Sequence, residues 1–302
     1  MINLISFDKN KDKIAIIAPS SGVNDLSGSI DIEQSMNRLD KMVSLLKKHG
    51  FNCSYDNKIF DNNNSLGYFS SSKEERLRQL QDAIKDTDAK IIWAFRGGYG
   101  SLEIAFDCLN IVPSCPKILI GFSDITALHF LFNQHYKLPS IHGAMDANQE
   151  DMIREVISVI EGNEMTLDLT SLNDISDNAN VSGKMIGGNL TMICNLIGTK
   201  LHPIFEDKIL FLEDVNEKGY EIHRHLLHMH NAGLLKKVRA IIFGDFTNSD
   251  KHIDSSITDF ANRYLTHIPS YKIKGVGHGA INHPIAIGGI GKISADRLTI
   301  VA

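Results

Sequence analysis

Three short strings in this 302-residue chain combine residue types that perform hydrolytic chemistry. In Gly121-Phe122-Ser123-Asp124 a serine stands between an apolar run and a helical pattern. A serine there can be a nucleophile on a sharp turn, with N–H groups of the next turn stabilising a developing oxyanion. It can equally be a helix N-cap. The full G-x-S-x-G elbow is absent, because Ile125 replaces its last glycine. In Leu212-Glu213-Asp214-Val215 two carboxylates follow an Ile/Leu strand. Such a carboxylate can accept a bond from an imidazole and fix its tautomer, or it can be a first-turn acid favoured by the helix dipole. In Gly275-Val276-Gly277-His278-Gly279 glycines flank a histidine. They leave the ring accessible for general-base work, the alternative being a loop histidine of no consequence.

Two further strings invite chemistry less strongly. The loop Arg96-Gly97-Gly98-Tyr99-Gly100 could cradle phosphate with backbone N–H groups or supply one donor of an oxyanion hole. It has neither the Lys-Ser/Thr ending of a P-loop nor G-x-G-x-x-G spacing, so phosphate is the weaker choice. His223, His225, His228 and His230 crowd one helical stretch. H-E-x-x-H spacing is missing and His223 and His228 fall on different faces, which favours a solvated or partly packed helix over a metal site. Neither a metal nor a cofactor is expected.

Regular elements must hold these strings. Residues 13–18, 90–95 and 117–122 read as buried strands, and a helix is expected after Ser123-Asp124 through about Phe132. From Asp31 to His49 the apolar positions Ile32, Met36, Leu39, Val43 and Leu46 lie on one helical face, with Gly50 as the stop. Ser72-Lys73-Glu74-Glu75 has capping-box spacing, and Leu77, Leu80 and Ile84 continue a second helix. This alternation predicts βαβ units and a mostly parallel sheet. Between about 161 and 180, Asn and Asp residues crowd and periodicity fades, which marks a domain boundary. Beyond it strands are expected at 208–212 and 238–243, a helix at 220–231 closed by Gly233, and glycine-punctuated strands over 273–301.

Composition narrows the function classes. With 31 Lys+Arg against 36 Asp+Glu and a net charge of −5, the chain has no basic field for nucleic acid. Its 43% hydrophobic and 22% charged content is ordinary for a globular protein. No span approaches the roughly 20 apolar residues of a membrane helix. Asp8, Lys9, Lys11, Asp12 and Lys13 break up any secretory h-region. Cys53, Cys108, Cys115 and Cys194 form no C-x-x-C pair and read as reduced thiols of a cytoplasmic protein.

Seven strings in order resemble the LD-carboxypeptidase family, serine peptidases that remove a terminal D-amino acid from cytoplasmic cell-wall peptides: IAIIAPSSG, WAFRGGYGS, LIGFSDITALH, HGAM, GGNLTMICNLIGT, ILFLEDVNEKGYEIHRHL and GVGHG. The resemblance implies an α/β fold, with a flavodoxin/Rossmann-like parallel-sheet domain over 1–165 carrying the nucleophile. A linker over 166–180 and a β-rich α+β domain over 181–302, carrying the Glu and His, would follow. It implies a triad of Ser123, Glu213 and His278 across the domain junction, and oxyanion donors at the N–H groups of Asp124 and Gly98. Arg96, Gly97 and Tyr99 would contact substrate, although Arg96 could instead brace the loop. A homodimer that trims D-alanine from recycled murein peptides is the expected enzyme. One departure is His223, which stands where family members often carry Asp. Two other functions remain open. One is a microcin-immunity-type hydrolase of aminoacyl- or peptidyl-nucleotide conjugates, for which the lone Trp93 sits unhelpfully in a buried strand. The other is a non-catalytic flavodoxin-like binding module.

Overall fold

The computed structural model describes residues 5–22, 32–61, 67–145 and 150–301. Asp31, the expected first residue of a helix, lies outside them. The chain divides into two units, one running up to Val156 and the other from Ile157 onward.

The first unit contains β1 (Lys13–Ile17), α1 (Ile32–Lys48), β2 (Asn52–Ser54), α2 (Lys73–Lys85), β3 (Ala89–Ala94), α3 (Ser101–Ala105), β4 (Ile118–Gly121), α4 (Thr126–Phe130) and β5 (Ser140–His142). Its strands pair in the order β2-β1-β3-β4-β5, all parallel. This is the flavodoxin-like order, in which ligands bind outside the carboxyl ends of the strands near the β1/β3 switch point. β1, β3 and β4 are almost uninterrupted apolar runs because such strands are covered on both faces. α1 buries Leu39, Met42, Val43 and Leu46. Ser72 caps α2 by accepting from the Glu75 N–H at 3.3 Å, while the Glu75 carboxylate accepts from Arg78 and Gln79 instead of completing a box. Trp93 is fully buried, as expected, and its indole N–H donates to the Ala144 carbonyl at 3.2 Å. After the turn Ser123–Ile125 and α4, a π-helical turn Leu131–His135 completes the helical stretch. α5 (Glu150–Ile160) follows β5.

The second unit contains β6 (Met165–Ser171), β7 (Asn180–Asn189), α6 (Leu190–Leu196), β8 (Lys208–Val215), α7 (Gly219–Asn231), β9 (Ala240–Thr247), α8 (Ile253–Tyr264), β10 (Ser270–Ile273), β11 (Ile285–Ile287), β12 (Ile290–Ser294) and β13 (Arg297–Val301). Strands β10-β6-β13-β12-β7-β8-β9 close into a barrel. β7, β8, β9 and β10 are parallel neighbours, linked by crossovers through α6, α7 and α8. The other pairs are antiparallel. Closure leaves these strands no open edge.

The segment 166–180 differs from the linker read in the sequence. Most of its first half is β6, paired with β10 and β13. Thr166, Asp168 and Thr170 are exposed while Leu169 is buried. The polar residues are therefore the solvent side of a period-2 strand, and their abundance hid the alternation. Among the described residues no helix is long and apolar enough to cross a membrane.

Candidate active site

β4 ends at Gly121, and two residues later Ser123 has φ 62. That is the left-handed region, strained for a residue with a side chain and recurrent where a nucleophile is thrust out of a strand-to-helix turn. Phe122, with φ −149, occupies the cap position, and no side chain caps the turn. Ser123 is thus not the N-cap that its position also allowed. A Cβ on Gly97 would lie 3.0 Å from Ser123 Cβ and 3.1 Å from the Phe122 carbonyl. Only a glycine lets the 96–100 loop approach the serine so closely.

Behind the turn sit two buried histidines. His129 Nε2 donates to the Gly121 carbonyl at 2.9 Å, which puts its proton on that nitrogen. Burial pulls His129 down to about 4 against that hydrogen bond, so the ring is neutral. The His142 ring lies 5.8 Å from Phe122 and 6.1 Å from His129.

The 96–100 loop is tied to the β1 loop. Ser21 N–H donates to the Gly97 carbonyl at 3.1 Å, and Tyr99 N–H donates to Ser21 Oγ at 3.0 Å. Arg96 Nη1 donates to the Gly22 carbonyl at 3.1 Å, a bracing contact. The Tyr99 side chain is 54% exposed, stacked on Phe69 at 5.5 Å.

Sequence reasoning missed Arg76, which is wholly buried. Its guanidinium donates to the carbonyls of Gly100 (2.8 Å), Pro19 (3.1 Å) and Ser71 (3.3 Å), pairs with Glu103, and covers the Phe69 ring at 4.2 Å. A signal existed, because Arg76 precedes Leu80 by four residues on the face that α2 buries.

In the second unit Glu213 lies inside β8, not after it, at an irregularity in the β8–β9 register between Leu212 and Asp214. Its side chain is fully buried, and Oε2 is 2.6 Å from Nδ1 of His278, whose side chain is 15% exposed. A carboxylate accepts, so Nδ1 carries the proton and Nε2 is left as the basic nitrogen. Burial raises the Glu213 pKa, opposed by the imidazole. For His278 burial acts downward, but the Glu213 charge and hydrogen bond, helped by Asp214, hold the ring above its ordinary value. The histidine loop is fastened: Gly275 N–H donates to Asp245 Oδ2 at 3.0 Å, Gly277 N–H to Asn282 Oδ1 at 3.1 Å, and His283 N–H to the Gly275 carbonyl at 2.7 Å.

Asp214 has a different job. It accepts from Asn189 Nδ2 (2.8 Å), from Thr191 N–H and Oγ (both 2.9 Å) and from Val215 N–H (2.8 Å), fastening the start of α6 to β8. α7 begins only at Gly219, so neither carboxylate is a first-turn helix acid.

Two of the α7 histidines pack against α8, while His228 is exposed. The His223 ring lies 6.0 Å from that of Phe260, and His230 lies 5.0 Å from Tyr264, both on α8. His223 Nε2 is also 3.6 Å from Asp259. Among the described residues no group of His, Cys, Asp and Glu is arranged to hold a metal ion. Ser123, Asp124 and the 96–100 loop thus gather at the carboxyl ends of the first unit's strands, while Glu213 and His278 meet in the second.

Comparison with known proteins bears on both units. Residues 14–143 match the LD-carboxypeptidase N-terminal domain, and residues 182–293 match the LD-carboxypeptidase C-terminal domain. A Rickettsia conorii protein named "Putative carboxypeptidase" is 37% identical over 287 residues, covering 90% of this chain and 84% of that protein. The chain belongs to the LD-carboxypeptidase family. Another relative in this family is the murein tetrapeptide carboxypeptidase of Pseudomonas aeruginosa, 28% identical over 95% of this chain and 94% of its own length. A crystal structure of the muramoyltetrapeptide carboxypeptidase from Oxalobacter formigenes superposes with a TM-score of 0.78 at 26% identity, covering 96% of this chain and 99% of that one. At the level the family shares, the protein is a peptidase built from a parallel-sheet domain and a β-barrel domain.

Proposed function

We propose that the protein is a serine-type LD-carboxypeptidase that releases the terminal D-alanine from murein tetrapeptides. Ser123 is its nucleophile, His278 its general base and Glu213 the carboxylate that orients the base. The nucleophile comes from one unit and the base–carboxylate pair from the other. His278 Nε2 takes the Ser123 proton as Oγ attacks the carbonyl preceding D-alanine, and Glu213 stabilises the imidazolium that forms. The N–H groups of Asp124 and Gly98 receive the oxyanion. His278 then protonates the departing amine, and water hydrolyses the acyl-enzyme by the same steps in reverse. Gly97 and Tyr99 line the substrate, and Arg96 braces the loop that carries them. A homodimer acting on wall fragments inside the cell completes the proposal, on the family resemblance.

The observation that carries it is the 2.6 Å bond from His278 Nδ1 to a fully buried Glu213. A loop histidine without a role would not be matched to a buried carboxylate. The names of the Pseudomonas and Oxalobacter relatives support the substrate class. The test offers L-Ala-γ-D-Glu-meso-diaminopimelate-D-Ala, its L-Ala-terminated stereoisomer and an aminoacyl-sulfamoyl adenosine, and detects released amino acid by mass spectrometry. Release from the D-Ala peptide alone is expected. Release from the nucleotide conjugate alone would point to the immunity-type hydrolase, and release from none to a binding module.

A further inference from the structure

The side chain of Asp124 has no part in the chemistry described so far, where only its backbone N–H acts. It is nevertheless among the most constrained groups of the first unit. The side chain is buried, Oδ2 accepts from Ser20 Oγ at 2.5 Å and from Ser101 N–H at 2.7 Å, and the Asp124 carbonyl accepts from Ser101 Oγ at 2.5 Å. Ser20 follows β1, Ser101 follows the glycine-rich loop after β3, and Asp124 follows the nucleophile after β4. One residue therefore joins the three loops at the carboxyl ends of adjacent strands.

The reason for this junction lies at Gly100. It is the N-cap of α3 with φ 132, a backbone conformation that excludes other residues, and a Cβ there would also come within 2.6 Å of Arg76 Nη1. A glycine has no side chain with which to cap, and none caps α3 from within its own sequence. The Asp124 carboxylate supplies the missing acceptor from a different loop. Held at both its carboxylate and its carbonyl, Asp124 cannot turn its N–H away. The same contacts hold Ser101, where the glycine-rich loop ends, against the Ser123 turn.

We infer that the Asp124 side chain is a positioning residue that registers the nucleophile turn against the glycine-rich loop, and so sets the two N–H donors for the oxyanion. This rests on the serine-peptidase proposal. A misplacement of about 1 Å commonly costs about 100-fold in rate, and a lost oxyanion donor about 100- to 1,000-fold.

The test compares wild type, Asp124→Asn and Ser20→Ala in three measurements: kcat and KM for D-alanine release, thermal unfolding, and the rate at which a fluorophosphonate labels Ser123. Labelling forms a bond from Ser123 Oγ to phosphorus and expels fluoride, and the phosphoryl oxygen of the tetrahedral adduct needs the same donors. Asp124→Asn should lower kcat about 10- to 100-fold with KM nearly unchanged, slow labelling in parallel, and remain folded at the assay temperature. Ser20→Ala, which removes one donor to the same oxygen, should lower kcat and labelling less but in the same proportion. If Asp124→Asn does not fold, Ser20→Ala decides alone, and wild-type kcat in it would overturn the inference. A folded Asp124→Asn labelled as fast as wild type would overturn it too, as would a rise in KM at constant kcat. Wild type that releases no D-alanine and is not labelled at Ser123 would overturn the underlying proposal, and this inference with it.

Discussion

His278 Nδ1 and Glu213 Oε2 are 2.6 Å apart, the carboxylate fully buried and the imidazole reaching the surface. The carboxylate raises the His278 pKa although burial acts to lower it. A general base must be neutral, so kcat/KM should rise with pH through a midpoint above the roughly 6.5 of an unperturbed histidine. Glu213→Gln removes the raising charge and leaves burial. Its midpoint should therefore fall below wild type while kcat drops roughly 1,000- to 10,000-fold. Identical midpoints in the two pH profiles would contradict the pairing.

Gly97→Ala separates activity from stability. Its Cβ would come within 3.0 Å of Ser123 Cβ and 3.1 Å of the Phe122 carbonyl, so the nucleophile turn must shift. Turnover should fall by about 10- to 100-fold, with a stability loss of about 1 kcal/mol in urea unfolding. Wild-type turnover would mean that the loop does not set the serine.

His129 makes the fold acid-sensitive. The folded ring titrates at about 4, below the 6.5 of a free histidine, so the unfolded chain binds the extra proton between those values. Stability must then fall as pH falls through that window. From pH 7.5 to pH 5 the loss is about 2 kcal/mol. His129→Gln, which keeps a donor for the Gly121 carbonyl but does not titrate, should unfold in urea with that much less pH dependence. An unchanged pH dependence would show that the proton is taken up elsewhere.

The parts legible in the sequence were those where local pattern and chemistry coincide. Ser123, the 96–100 loop and His278 stand beside apolar runs, and those runs became the strands and loops expected of them. Less legible was anything decided by a distant partner. Arg76 is one charge among several in a polar helix sequence, and its acceptors, Gly100 and Pro19, lie far away along the chain. The Asp124 carboxylate has no visible role in the sequence because Ser20 and Ser101 are brought to it only by the sheet order. β6 was hidden because a barrel strand with one wet face can be rich in Thr and Asp. Glu213 belongs to its strand through a pairing with Asn189 of β7 and is skipped on the β9 side, a register detail that the sequence does not mark.

The central claim is that Ser123 is the nucleophile, and the most direct measurement is D-alanine release from the tetrapeptide by wild type and Ser123→Ala at matched concentrations of folded protein. The account predicts steady release by wild type and a fall of at least about 1,000-fold in the variant, with an unchanged melting temperature. Release by Ser123→Ala at the wild-type rate would contradict it.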